Sequence, residues 1–439
     1  MQASHQPKGP ARLRRCARAA HRSRPALLLC VLLLHALPST AQLTLAHCQE
    51  RARANQPMIA QYDLIAKTAD YTIANANKAY LPQVSLTGIG AYIISGLPTM
   101  TLPGSAPPAN DDLKFIGMGQ VNQQLWDGGA TSANKRMIAA GAAVDSTKLE
   151  VRFHQLRERV DQLFFGILLA DAQLAQLDRF DSTLQRNLDK VSLLKENGTA
   201  YQSDVDEVHA ELLKLHQRKI EFAYVRSGYV DMLSYLIGEP LDSTTVLQRP
   251  AVREDFASAP DQRPELGTFT AQRELATAQY QLGKTSLMPK VGLLGTGLLF
   301  APALGFGTSE ISSLALAGIS LSWNTSGLYR QANDHKLHEL HLARIANEES
   351  SFRFANGLDL RRDDQEVRKA RAILAADEGI VALRTRIADA YQLKYDNGLC
   401  AMNDLIDAMS EVDEARSDKA LHEIQLLLAM QHYATDNGN

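Results

Sequence analysis

The strongest constraint on this chain is where its prolines are missing. None of the 16 prolines stands between Asn110 and Glu239, and none follows Pro302. Proline lacks a backbone N–H and clashes with the preceding helical turn. Two stretches of roughly 130 residues without it are therefore free to run as long helix.

Apolar spacing decides how those helices pack. From Leu156, the positions Val160, Leu163, Ile167, Ala170, Leu174, Leu177, Leu184, Leu188 and Val191 keep a 4-3 alternation broken only at Asp181. This heptad seam predicts a helix over 132–196, roughly 100 Å long at about 1.5 Å per residue, packed lengthwise on neighbours. A second rod over 329–396 has a looser seam: Ile373, Ala376, Ile380, Leu383, Ile387 and Ala390. The rods end at Asn197-Gly198 and Asn397-Gly398, pairs that permit tight reversal, and returning helices follow over 203–238 and 403–433.

The two rods belong to a duplication. Gln56-Pro57 recurs as Arg263-Pro264, and Leu81-Pro82-Gln83-Val84 as Met288-Pro289-Lys290-Val291. Leu125-Trp126-Asp127-Gly128-Gly129 is echoed by Ser322-Trp323-Asn324-Thr325-Ser326-Gly327. Glu196-Asn197-Gly198 before Asp204-Val205 returns as Asp396-Asn397-Gly398 before Asp404-Leu405. The shared order makes residues 42–239 one unit and 264–439 a second. Residues 240–263, with Pro240, Pro250 and Pro260, read as an irregular connector before Pro264.

Each unit opens with a helix, predicted over 43–80 and 264–287, that stops before Leu81-Pro82 or Met288-Pro289 because a residue before proline avoids helical geometry. Two strands follow in each: 83–94 and 114–126 around a loop from Gly96 to Pro108, then 290–301 and 311–323 around Pro302 to Thr308. Ala315, Ala317, Ile319, Leu321 and Trp323 alternate with Leu314, Leu316, Gly318, Ser320 and Ser322. Alternating, glycine-rich segments of roughly ten residues, tipped with Trp or Tyr, are the form of transmembrane β-strands. Pro82, Trp126, Pro289 and Trp323 then mark the boundary between barrel and helices. The other reading of each pair is a soluble β-hairpin. If the strands are transmembrane, four cannot close a barrel and lipid does not tolerate open edges, so several copies of the chain have to share one.

The amino terminus explains the charge. Residues 1–24 carry seven basic residues and no acid, the apolar run from Ala26 to Leu34 follows, and Ser39-Thr40-Ala41 supplies small residues. This is the pattern of a secretory signal over 1–41, and its apolar run is too short to span a bilayer. Without it the formal net charge falls from −3 to about −10. An acidic exported chain is a poor nucleic-acid binder. Cys48 and Cys400, the two cysteines left, stand in no metal-ligand spacing.

No motif carries catalysis. Gly283-Lys284-Thr285 lacks the glycine and preceding strand of a phosphate loop. His335, His338, Glu339 and His341 lack the second histidine four after His338, and read as a solvated helix face. The chain is expected to be no enzyme and to hold no cofactor or metal. Asp404 and Asp407, one turn apart after Gly398, share a face. They either stabilise a helix N-terminus or, in a symmetric oligomer, form a carboxylate ring at a constriction.

In order and spacing these motifs resemble the TolC-type outer-membrane efflux proteins, across residues 42–439. The resemblance implies a homotrimer in which each chain gives four strands to one twelve-stranded barrel, set on an α-helical tunnel through the periplasm. It implies that Asn197, Gly198, Asn397 and Gly398 lie at the periplasmic tip, where an adaptor protein and an inner-membrane pump dock. Asp404 and Asp407 fall on the family's aperture aspartates, and Asp204, with Tyr395, on contacts between protomers that hold the tip shut. Cys400 stands where a basic residue is sometimes found. The implied function is a passive exit channel for efflux or type I secretion, held in outer-membrane lipid. The alternative is a periplasmic adaptor, which would carry one hairpin splitting a lipoyl-like β-domain rather than strands before each of two hairpins.

Overall fold

The computed structural model of the chain describes residues 43–92, 113–251, 262–301 and 312–438. The signal-like segment, both strand-connecting loops and residues 252–261 of the connector lie outside them.

The first helix differs from expectation. Residues 43–80 form two helices, α1 (Leu45–Asn55) and α2 (Gln61–Asn77), with short 3-10 turns over Pro57–Ala60 and Lys78–Tyr80. The break falls at Gln56, extended at φ −68° and ψ 123°, because Pro57 cannot donate into a helix running through it. In the second unit Pro264 opens α5 (Pro264–Thr285), at the first helical position where its missing donor costs nothing. The repeat-matched prolines thus start equivalent helices, and α1 is an extra element before the first.

The strands fall close to where alternation places them: β1 (Gln83–Tyr92), β2 (Leu113–Trp126), β3 (Lys290–Ala301) and β4 (Ser312–Ser322). They form one antiparallel sheet in the order β1-β2-β3-β4, with β2 paired to β3 from Phe115↔Ala301 to Trp126↔Val291. Register puts Val84, Leu86, Val121, Leu293, Leu299, Ile319 and Leu321 on one face. The other face mixes Gln83, Ser85, Gln120, Asn122, Gln124, Thr296 and Ser320 with Met118, Leu298 and Leu314. Within the chain, β1 and β4 each keep one edge unpaired among the described residues.

The rods are α3 (Ala130–Glu196) and α6 (Gln331–Asp396), returned by α4 (Gln202–Ile237) and α7 (Met402–Asp436). The seam of α3 is its core. Midway along α3, Val160, Phe164, Ile167 and Leu168 pack with Cys48 and Ala52 of α1, Leu233 and Ile237 of α4, and Ile424 of α7. Burial pushes the Cys48 thiol up to about 12, so it stays an inert filler. At the far end Leu177, Leu184, Leu188 and Val191 meet Val205, Val208 and Leu212 of α4 and Met402, Leu405 and Met409 of α7. Buried polar groups among and between these clusters pin the helices. Asp413 accepts from Gln176 (3.3 Å) and Arg218 (3.2 Å), and Asp161 from Gln49 (2.6 Å) and Gln431 (3.2 Å). No helix among the described residues is long and apolar enough to cross a membrane.

Helix α6 matches α3 in length but not in burial. Its expected seam is open to solvent, with Ile380 at 48%, Leu383 at 53% and Ile387 at 39% exposure. It packs instead on α7 through Val367, Ala370 and Leu374.

Candidate functional site at the hairpin tips and strand junctions

Both tips are built by one device. After α3, Gly198 takes φ 73°, its N–H reaches the Lys195 carbonyl (2.9 Å), and the Thr199 N–H reaches that of Leu194 (2.9 Å). After α6, Gly398 takes φ 67°, with Gly398 to Tyr395 and Leu399 to Lys394, both 2.9 Å. These paired bonds close off the last carbonyls of each helix, and they need a residue that adopts positive φ without strain. Asn197 and Asn397 add a side-chain bond to the carbonyls of Leu193 (2.9 Å) and Leu393 (2.7 Å).

The aspartates after the tips cap the returning helices. Asp204 accepts from the Tyr201 N–H (3.0 Å) and Asp404 from the Ala401 N–H (3.1 Å), which satisfies a free donor and places negative charge at the positive helix end. Asp407 accepts from the Asn403 side chain (3.2 Å). Asp404 and Asp407 are both exposed and lie opposite Leu405, Ile406 and Met409, which are buried. The face the two acids share therefore turns away from the chain's own core.

Tyr395 is half-buried against the tip cluster. Burial, then the negative charge of Asp204, pushes its hydroxyl above the usual phenol range. The charge of Asp204 thus reaches Tyr395 within one chain. Cys400 donates to the Tyr391 carbonyl (3.6 Å), and burial followed by the charge of Asp404 raises its thiol. A contact that sequence reasoning missed ties the two tips: Lys190 of α3 pairs with Asp396 of α6, whose carboxyl it pulls down. Partners 206 positions apart leave no sequence signal.

The strand junctions hold the other predicted residues. Pro82 and Pro289 immediately precede β1 and β3. Trp126 ends β2 at a register shift beside Gln124, and the Trp323 indole donates to the Leu287 carbonyl (3.0 Å). Asp127 is buried, and burial alone would raise its carboxyl. Donation from Thr131 N (2.6 Å), Tyr80 OH (2.9 Å) and Gly129 N (2.9 Å) holds it instead down to about 2. Gly128, at φ 68°, leaves no room for a side chain, since a Cβ there would stand 2.5 Å from that of Met288. In the second unit Asn324 replaces the acid and accepts from the Ser326 N–H (3.0 Å).

No group of three or more His, Cys, Asp or Glu able to hold a metal occurs among the described residues. His338 stacks on Tyr280 with ring centroids 4.4 Å apart.

No protein-family model matches this sequence, and no curated protein is similar to it at sequence level. Solved structures are similar in fold. A membrane protein from Pseudomonas aeruginosa is 13% identical with a TM-score of 0.64, covering 90% of this chain and 93% of its own. CusC, described for its transmembrane channel formation, is 14% identical with a TM-score of 0.63, covering 90% and 92%. The outer membrane protein VceC from Vibrio cholerae is 12% identical with a TM-score of 0.62, covering 90% and 96%. The chain has the TolC-type channel fold along nearly its whole described length.

Proposed function

We propose that this chain is one protomer of an outer-membrane exit channel, a passive conduit for small molecules or proteins that draws its energy from other components. The observation that carries the proposal is the pairing of two unsatisfied surfaces. The sheet offers an apolar face and two open edges, and α6 offers an exposed apolar row. Lipid demands that every strand edge be paired, so copies have to join edge to edge, and three copies give a closed twelve-stranded barrel. The hairpins below then form a tunnel, with α6 of one copy covered by its neighbour.

In that assembly the tips at Asn197-Gly198 and Asn397-Gly398 are the docking end for a periplasmic adaptor and an inner-membrane pump. Asp404 and Asp407 face the aperture, where a ring of carboxylates favours cations. Asp204 and Tyr395 hold the closed tip. The cargo route, efflux or type I secretion, follows from the pump the channel meets.

The test is assembly. The native protein is expected to fractionate with outer membranes and to migrate as a trimer in mild detergent; recovery as a soluble periplasmic monomer ends this reading. For the aperture, Asp404→Ala with Asp407→Ala is expected to raise conductance in planar bilayers and to weaken block by multivalent cations. Unchanged conductance removes the two aspartates from the aperture while leaving the channel.

A further inference from the structure

Between α1, α3 and the joint where residues 262–264 meet the end of α7 lies a cavity of about 450 Å³, distant from both tips and strands. Its wall includes Arg53, Glu150, Phe153, His154 and Arg157. Most of its polar groups are already satisfied. Arg53 pairs with Glu150 (2.8 Å) and lies over the Phe153 ring, and Tyr62 donates to the same carboxylate.

Two groups are not. Arg157 makes no close ion pair or hydrogen bond among the described residues, so its donors stay open at the wall although its charge reaches Glu150. His154 is only 5% exposed, its Nε2 has no partner, and the Thr435 backbone beside the ring favours a proton on it. With the other nitrogen protonated, Nε2 carries a lone pair and only accepts. Burial, and then the charge of Arg263, disfavours a second proton on this ring. An orphaned buried acceptor costs the fold stability unless something fills it. Glu50, the acid of the wall without a partner among the described residues, is exposed and screened by solvent.

We propose that this cavity binds a phosphate group that still carries a proton, with anionic oxygens on Arg157 and the remaining O–H donated to His154 Nε2. A guanidinium fork matches tetrahedral oxyanions, and a volume of this size takes a small solute or the terminal group of a larger one. The neutral imidazole acceptor sets the preference. Sulfate has the same shape but no proton to give, so it leaves Nε2 unfilled. The site is independent of the channel reading, because it needs neither barrel nor oligomer.

The measurement is isothermal titration of the detergent-solubilised full chain near pH 6.5, with inorganic phosphate, glycerol phosphate and sulfate. Phosphate is expected to bind saturably and at least tenfold tighter than sulfate. Arg157→Ala is expected to weaken both anions at least tenfold. His154→Phe is expected to bring phosphate down to the level of sulfate while leaving sulfate unchanged. Glycerol phosphate binding at least as tightly as the free ion identifies the ligand as a monoester headgroup; weaker binding identifies it as inorganic phosphate. Absence of saturable phosphate binding, as when water alone fills the cavity, overturns the proposal, and so does equal affinity for phosphate and sulfate. Affinity unchanged in Arg157→Ala, a partly exposed position whose loss does not threaten folding, overturns it as well.

Discussion

Helices α3 and α6 are 67 and 66 residues long and end on the same turn, yet they live in different surroundings. Helix α3 lies among α2, α4, α5 and α7 and buries a continuous apolar row from Val160 to Val191. Helix α6 has chiefly α5 and α7 beside it, and Ile345, Val367 and Ala370 are its only buried apolar residues. The lesson is that a heptad seam announces a partner without saying whose it is. The seam of α3 is answered inside the chain, and that of α6 is left open by it.

The largest test removes the answer. Phe164→Ala empties a fully buried site in α3 and is expected to cost about 3–5 kcal/mol in denaturant unfolding of the detergent-solubilised chain. A cost below about 1 kcal/mol would mean that α3 is not the core of a single chain.

The second test moves to where each rod begins. Asp127→Ala removes three hydrogen bonds at the start of α3 and is expected to cost about 0.5–2 kcal/mol. Because the folded carboxyl is held at about 2, below its ordinary 3.8, the stability it adds is fully present above the ordinary value. It is lost as pH falls from about 4 through about 2. Asn324 at the matching junction carries no charge and contributes no such loss. Hydrogen exchange at the Thr131 amide reads the difference: protection that weakens with acid supports it, and protection indifferent to pH contradicts it.

The smallest effect on the chain sharpens the contrast most. Leu383→Asn with Ile387→Asn is expected to shift the stability of the dissociated chain by no more than about 0.5 kcal/mol each, since both are exposed. The same pair is expected to reduce recovery of the oligomer in mild detergent. Unfolding as severe as that of Phe164→Ala would place the α6 row inside the chain after all.

Much of this architecture was legible in the residues, for a physical reason. Period-2 alternation located β2 and β4, absent proline left α3 and α6 whole, and the glycines at 198 and 398 marked reversals that require positive φ. Helix α1 was legible only in part, because Pro57 was read as a repeat marker and not also as a break. The capping role of Asp404 was one of two readings, and its bond to Ala401 shows that role directly. What stayed hidden joins distant positions. Lys190 with Asp396, Asp413 with Gln176 and Arg218, and Asp161 with Gln431 all depend on which faces meet once the hairpins stand side by side. Nothing local in either partner encodes that.

The sheet order also has a consequence in time. Each helical hairpin closes on neighbours along the chain, a contact that costs little loop entropy and forms fast. The β2–β3 ladder instead pairs residues such as Gln124 and Gly292, and the Gln124 side chain donates to Val291, 167 positions away. Only after α3 has gone out and α4 has come back does the chain return β3 to the side of β2. The folded hairpin therefore acts as the splint on which the ladder zips. The ladder is the late event, and until it closes each pair of strands presents raw edges to whatever else is near.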